Sequence, residues 1–364
     1  MFNASNLVNE LHTIDNTQLN IQNCLLTYEK SGSLHPIFIQ GDALHTLQQI
    51  PDNCFDVCMT SPPYWSHREY SGLGIGLEDT YTDYINNLIK ILLEVKRVLK
   101  PTGSLWLNIG DTYINKHLIG IPWRVALKLT DECGFILRNS IIWNKVKGAP
   151  DNSKDKLRCV HEHLFHFVKS KNYYYDVDSI RSTSRSAKVE NGKVISATGV
   201  SGIKYRRQIE LSTALTEIEK KNAFTALEDI LNDVKEGRLS DFRMIIRGQQ
   251  RITHSSGEKV SGRARELKER GFYFLKYHPK GAKPGDVWDI LPEDTQKREG
   301  HYAAYPEDLC KLPILVSCPE NGIVLDPFCG TGSTMKVARA LGRKSLGIDI
   351  CKDYIKMAEK RCSI

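Results

Sequence analysis

Two short stretches carry residue types that could do chemistry. The first is Ser61-Pro62-Pro63-Tyr64-Trp65, which follows the apolar run 55–60. Neither proline can donate to a strand ladder, so the pair ends a buried strand in a stiff turn. Two large aromatics then stand where a loop is ordinarily polar. The second stretch is 323–334, Ile-Val-Leu-Asp-Pro-Phe-Cys-Gly-Thr-Gly-Ser-Thr. An apolar strand runs into Asp326, a glycine turn follows, and Ser333 opens a helix. Such glycines let a ligand approach backbone N–H groups at a helix start. A phosphate-binding P-loop needs Gly-Lys-Ser/Thr, which is absent. A dinucleotide fingerprint needs a third glycine, and position 335 is Met. An adenosine-amino-acid ligand, S-adenosylmethionine (SAM), has no pyrophosphate to cradle. It fits better, because the next strand ends in Asp349, an acid placed to accept ribose hydroxyls.

A third stretch, Cys159-Val-His-Glu-His-Leu-Phe-His166, invites a zinc reading. The metalloprotease pattern His-Glu-x-x-His fails because residue 165 is Phe. His161 and His163 would share one strand face and could ligate a metal, but a strand with surface or pocket histidines is the preferred reading, and no metal is expected. Asp111 ends a strand; it either faces a cleft or caps a turn.

These residues need a scaffold. Thr80 to Leu99 keeps one apolar face through Tyr84, Leu88, Leu92 and Val95, with Thr80 and Asp83 as an N-cap and Pro101-Thr-Gly as a stop. Strands are expected at 37–39, 55–60, 105–109, 136–143, 163–168, 287–288, 323–325 and 345–349, and a helix at 122–132. Alternating strands and helices argue for an α/β fold with a doubly wound, mostly parallel sheet. The alternation breaks near Arg181. Residues 182–208 read as loop, and 209–236 as helical through Leu211, Leu215, Ile218, Phe224, Leu227, Leu231 and Val234. A polar extension at 1–33 holds one weak helix.

The chain has 364 residues and a net charge of +7. From Arg181 to Lys283 there are 22 Lys and Arg against 12 Asp and Glu. That segment carries the whole basic excess. A phosphate-backbone partner and a solvated helical insert explain this equally well on charge alone. No apolar run nears 18 residues, so no membrane span is expected. The ten cysteines form no Cys-x-x-Cys pair and read as reduced thiols in a cytosol.

Taken together, the two loops resemble those of the amino-methylating DNA methyltransferases, which modify the exocyclic nitrogen of cytosine or adenine. Ser61-Pro62-Pro63-Tyr64 is similar to the family's catalytic loop, and Asp326-Pro327-Phe328-Cys329-Gly330-Thr331-Gly332 to its SAM loop. The order, with the basic insert between them, is similar to the β group, a circular permutation of the Rossmann-like fold. The resemblance covers about 34–181 and 276–361.

It implies a catalytic half at 34–181, a basic, largely helical target-recognition insert at 182–275, and a SAM-binding half at 276–364. It implies SAM as cofactor and double-stranded DNA as partner, with the target base flipped out of the duplex. Tyr64 would stack on the base, and Trp65 would wall its pocket. The Ser61 hydroxyl and the Pro62 carbonyl would accept hydrogen bonds from the amino group, and Pro63 would help to fix them. Asp42 would lie near the adenine of SAM, and Tyr305 and Pro306 at its methionine end, with Asp326, Pro327, Phe328, Gly330, Gly332 and Ser333 forming the loop and Asp349 the ribose acid. Arg206, Arg207, Arg243, Arg247, Arg251, Arg263 and Arg265 would contact DNA. Serine at 61 favours cytosine N4 over adenine N6 within the family. A cytoplasmic enzyme of the restriction-modification type follows; whether an endonuclease for the same site accompanies it stays open, as do monomer and homodimer. A DNA-binding protein on a dead methyltransferase fold is the rival of another class, and a nicotinamide dehydrogenase a third; the intact loops argue against the first, the absent glycine against the second.

Overall fold

Residues 18–66, 74–147, 151–182, 185–248, 262–293 and 305–362 are described by the computed structural model. Arg251 and residues 301–304, just before Tyr305, lie outside them. The chain forms two units, Met1–Ser179 with Gly285–Ile364, and Ile180–Pro284. The sequence reading drew the second at 182–275.

In chain order the strands of the first unit begin with β1 (Ile37–Gln40), β2 (Phe55–Thr60) and β3 (Leu99–Ile109). A small hairpin follows, β4 (Tyr113–Ile114) with β5 (His117–Leu118), and then β6 (Ile136–Asn144) and β7 (His161–Val168). The second unit holds β8 (Lys188–Glu190), β9 (Lys193–Ile195), β10 (Asp241–Ile246) and β11 (Phe272–Tyr277). The first unit resumes with β12 (Val287–Asp289), β13 (Ile323–Asp326) and β14 (Lys344–Asp349). Its main sheet has eight strands in the order β1-β14-β13-β2-β3-β7-β6-β12. Neighbours run parallel except at β7, which is antiparallel to both β3 and β6. All six residues of β2 and all four of β13 are buried. That explains their continuous apolar text: a parallel strand covered on both faces cannot alternate.

This topology does the positioning. β13 and β2 are parallel neighbours, with Val324 opposite Val57 and Leu325 opposite Cys58. The loops that leave them therefore emerge side by side at the carboxyl edge of the sheet, the usual ligand edge of open α/β folds. β14 and β1 deliver Asp349 and Asp42 to the same edge. The reversed strand β7 brings its first residues there, with His163 opposite Ile109 and Glu162 opposite Trp143.

Helices cover the sheet. They are α1 (Gln18–Lys30), α2 (Ala43–Gln48), α3 (Tyr81–Val98) and α4 (Ile121–Asp131). α3 is capped by Thr80, whose hydroxyl accepts from the Asp83 N–H at 3.1 Å. It ends at Val98, before the expected Pro101-Thr-Gly stop, and passes straight into β3, whose register to β2 shifts across that stretch. α1 departs further from the expected polar extension. It buries Ile21, Cys24, Leu25 and Tyr28 in the main core. The buried Lys344 side chain closes its end by donating to the carbonyls of Tyr28, Glu29 and Ser31.

The second unit has its own core, with Tyr205, Ile209, Leu227, Phe242 and Phe272 at its centre. Residues 182–208, read as loop, hold the β8–β9 hairpin and helix α5 (Gly202–Glu210). The single helix expected over 209–236 is instead the end of α5 and a separate α6 (Glu217–Lys235). Thr216 and Glu219 form a capping box that restarts the helix. The break leaves Leu211 and Ile218 exposed, where periodicity had put them on the buried face. α7 (Gly262–Arg270) precedes β11, which pairs antiparallel with β10. The first unit ends with α8 (Glu307–Ser317), α9 (Ser333–Ala340) and α10 (Lys352–Cys362).

Among the described residues no helix is long and apolar enough to cross a membrane.

Candidate active site

Both loops line one cleft of about 690 Å³, within the usual range for a small-molecule site. Ser61, Pro62, Pro63 and Tyr64 form one wall. The loop is tied down at several points. Tyr84 of α3 donates its hydroxyl to the Pro63 carbonyl at 2.9 Å. The Tyr64 hydroxyl donates to Glu162 Oε2 at 2.6 Å. Asn108, fully buried at the end of β3, donates its amide to Tyr64 Oη at 2.8 Å, to Glu162 Oε2 at 2.8 Å and to Ser61 Oγ at 3.3 Å. Lys145, which follows β6, donates to the other Glu162 oxygen at 2.5 Å. Burial first, and the Glu162 charge second, push the Tyr64 phenol well above its ordinary range.

Sequence reading missed Asn108, Lys145 and Glu162 as site residues. Glu162 sat inside the stretch examined for zinc, where His163 stacks on Phe165 instead. The usable signals were an asparagine within an otherwise apolar strand and an acid opening another. Asp111 resolves both ways: it lines the cleft, and its Oδ1 accepts the N–H groups of Thr112, Gly120 and Ile121 at the start of α4.

The glycine loop forms the other side. Pro327, Phe328, Gly330, Ser333, Tyr305, Asp349 and Asp42 line the cleft. Asp349 accepts the Gly330 N–H at 2.9 Å and the Cys351 N–H at 2.8 Å, and burial raises its pKa. Asp42 caps α2 through the His45 N–H at 2.9 Å. Three residues expected at the ligand are elsewhere. Asp326 is wholly buried. Its carboxylate accepts from Thr60, Tyr305 and Thr334 hydroxyls at 2.7 Å each and from the Phe328 N–H at 3.1 Å. Burial nevertheless raises its pKa to about 6. It holds the loop's shape and has no oxygen facing the cleft. Gly332 has φ +77°, and a Cβ there would stand 2.9 Å from that of Ala358, so it serves helix packing. Pro306 is the buried N-cap residue of α8.

The cleft suits SAM. Phe328, Ile350, Leu44 and Ile91 give the cleft apolar lining, and Asp42 and Asp349 give it carboxylates. Six carboxylates and two lysines line the whole space. That balance favours a cationic sulfonium ligand and opposes a pyrophosphate.

Several residues expected to touch DNA have other duties. Trp65 is 6% exposed and donates its indole N–H to the Glu78 carbonyl at 2.7 Å, with its ring edge-on to Tyr81. It anchors the loop in the core. Arg247 donates twice to the Ala214 carbonyl and pairs with Glu219 at 2.6 Å, which clamps the start of α6. Arg206 pairs with Glu228, and Arg265 with Glu269 at 2.8 Å. Arg206 and Arg265 are nonetheless exposed, as are Arg207, Arg243 and Arg263.

Such a sheet, with a cleft that suits SAM and the Ser-Pro-Pro-Tyr loop at its edge, is the arrangement of a methyltransferase class. The N6/N4 DNA methylase family model matches residues 55–360. The chain belongs to this family: it is a SAM-dependent Type II DNA methyltransferase of the restriction-modification kind. It is similar to the Type II methyltransferase M.Cfr9I of Citrobacter freundii, at 37% identity over 88% of this chain and 86% of that one. To M.SfiI of Streptomyces fimbriatus it is 31% identical, over 86% and 88%. Its fold is similar to that of the PvuII DNA methyltransferase (cytosine-N4-specific), with a TM-score of 0.55, 15% identity, and 91% and 86% of the two chains covered.

Proposed function

We propose that this enzyme methylates the exocyclic N4 of cytosine in a short duplex site. The observation that carries the reading is the placement of Ser61 and Tyr64 in the same cleft as the glycine loop. SAM supplies the electrophilic methyl group. The chain's own residues bind and orient the base. Tyr64 stacks on the flipped ring, which replaces part of the lost stacking, on the order of 1–3 kcal/mol. Ser61 Oγ and the Pro62 carbonyl accept from the amino group and draw its lone pair out of conjugation. The two prolines and the Tyr84 bond hold these acceptors in place before the base arrives. Asp42 and Asp349 orient the adenosine of the cofactor, beside Phe328 and the Gly330 backbone.

Serine at position 61 supports cytosine, and so does the cytosine-N4 specificity in the name of the PvuII enzyme. The exposed arginines Arg207, Arg243 and Arg263 are the proposed phosphate contacts. An endonuclease that cuts the same site is the partner this reading implies, in the cytoplasm.

Incubation with SAM and mixed-sequence duplex DNA, followed by digestion and mass spectrometry of the nucleosides, tests the assignment. N4-methylcytosine is expected. N6-methyladenine would keep the enzyme class and overturn the base.

A further inference from the structure

An amino nitrogen that gains a methyl group must lose a proton, and the cleft contains a route for it. Resting on the reading of Ser61 and Tyr64 above, we infer that Glu162 is the terminal acceptor of the proton released by the target nitrogen, reached through the hydroxyls of Ser61 and Tyr64.

The three groups form a continuous chain. Ser61 Oγ lies 3.3 Å from Tyr64 Oη, and Tyr64 Oη lies 2.6 Å from Glu162 Oε2. Asn108 sets the direction of the chain. Its amide nitrogen reaches all three oxygens, and an amide oxygen in that place would face the Glu162 carboxylate. The oxygens thus share donors from Asn108 and keep their own protons for the next member. Glu162 has its side chain 11% exposed, and Lys145 holds its second oxygen, so Oε2 stays aimed at Tyr64. Asp111, the other acid at this end of the sheet, gives its Oδ1 to three backbone N–H groups, and no bond links it to Ser61 or Tyr64 among the described residues.

The step balances. The target nitrogen gains the methyl carbon as that carbon's bond to sulfur breaks, and it then carries a positive charge. Its proton moves to Ser61 Oγ, the Ser61 proton to Tyr64 Oη, and the phenolic proton to Glu162 Oε2. Both hydroxyls are regenerated and the carboxylate ends neutral, to be discharged to water after product release. A nitrogen whose lone pair belongs to the ring gives up its proton readily, so a carboxylate suffices as the sink.

The test uses unmethylated genomic DNA and labelled SAM under single-turnover conditions, with SAM and DNA affinities measured alongside. Glu162→Gln keeps an acceptor for the Tyr64 hydroxyl but is no proton sink; Tyr64→Phe keeps the stacking ring but breaks the chain. Each is expected to bind both ligands as the parent does and to transfer methyl roughly a hundredfold more slowly. Glu162→Ala is expected to regain rate with added acetate more than with formate, the weaker base. Parent-like rates in Glu162→Gln or Tyr64→Phe would overturn the relay, as would equal rescue by the two carboxylates, which marks a structural role. A parent enzyme that methylates its DNA leaves the proposed function standing whichever way the variants fall; one that forms no methylated base removes the ground for both.

Discussion

The backbone of Gly110 packs close against the ring of Tyr64: a Cβ at 110 would stand 2.7 Å from Cε2 and 3.1 Å from Cδ2. Glycine is what lets the proposed stacking ring sit at the end of β3. Gly110→Ala must push the ring aside. Misplacement of about 1 Å costs roughly a hundredfold in rate when positioning is the mechanism. A loss of that order in single-turnover methyl transfer is expected, with SAM affinity close to the parent because the cofactor loop hangs on other strands. Parent-like turnover would show that the ring position is not limiting.

α1 is expected to be part of the fold. Tyr28 is buried, and its hydroxyl accepts the Ser345 N–H at 3.0 Å. Tyr28→Ala should cost roughly 3–5 kcal/mol through the cavity and the orphaned donor. Denaturant titration reads this directly, and an unchanged midpoint would assign α1 to the periphery.

The arginines of the second unit should divide by partner. Arg247→Ala releases the start of α6 and should lower stability by roughly 1–3 kcal/mol. Arg207→Ala and Arg263→Ala should leave stability alone. Each should weaken DNA binding and reduce the slope of log K against log salt by about 1. A salt series of binding titrations separates the two groups; an unchanged slope in Arg207→Ala and Arg263→Ala would remove them from the interface.

Acid should destabilise the enzyme through His166. Its ring stacks on Trp106 at 4.1 Å and its Nε2 meets Ser104 Oγ at 3.2 Å. Burial, with Arg138 adding to it, lowers its pKa from 6.5 to about 3. The fold holds the neutral ring while the unfolded chain takes the proton. The stability is therefore intact above about pH 6.5 and is lost as pH falls toward 3. Unfolding midpoints at pH 7 and pH 5 check this. His166→Gln, whatever its starting stability, should show a smaller drop between the two; an equal drop would place the acid sensitivity elsewhere.

Much of the machinery was legible in the residues, because its signals are local. Two prolines end β2 wherever that strand lies. A glycine turn between an apolar strand and a helix marks a ligand loop, and Thr80 with Asp83 announces α3. The order of the two loops along the chain is itself a sequence fact. Other features were decided only when the sheet assembled. Trp65 and Arg247 read as DNA contacts because their types suit that task; only packing shows one in the core and the other clamping a helix. Glu162 stands 98 residues from Tyr64, and no periodicity connects them. Strand order does: β7 runs antiparallel beside β3, so its first residues reach the edge where the Ser-Pro-Pro-Tyr loop leaves β2. Local propensity fixes where a strand ends. Which side chains then share a cleft depends on strand order and register, which the chain settles only by burying both faces of the sheet.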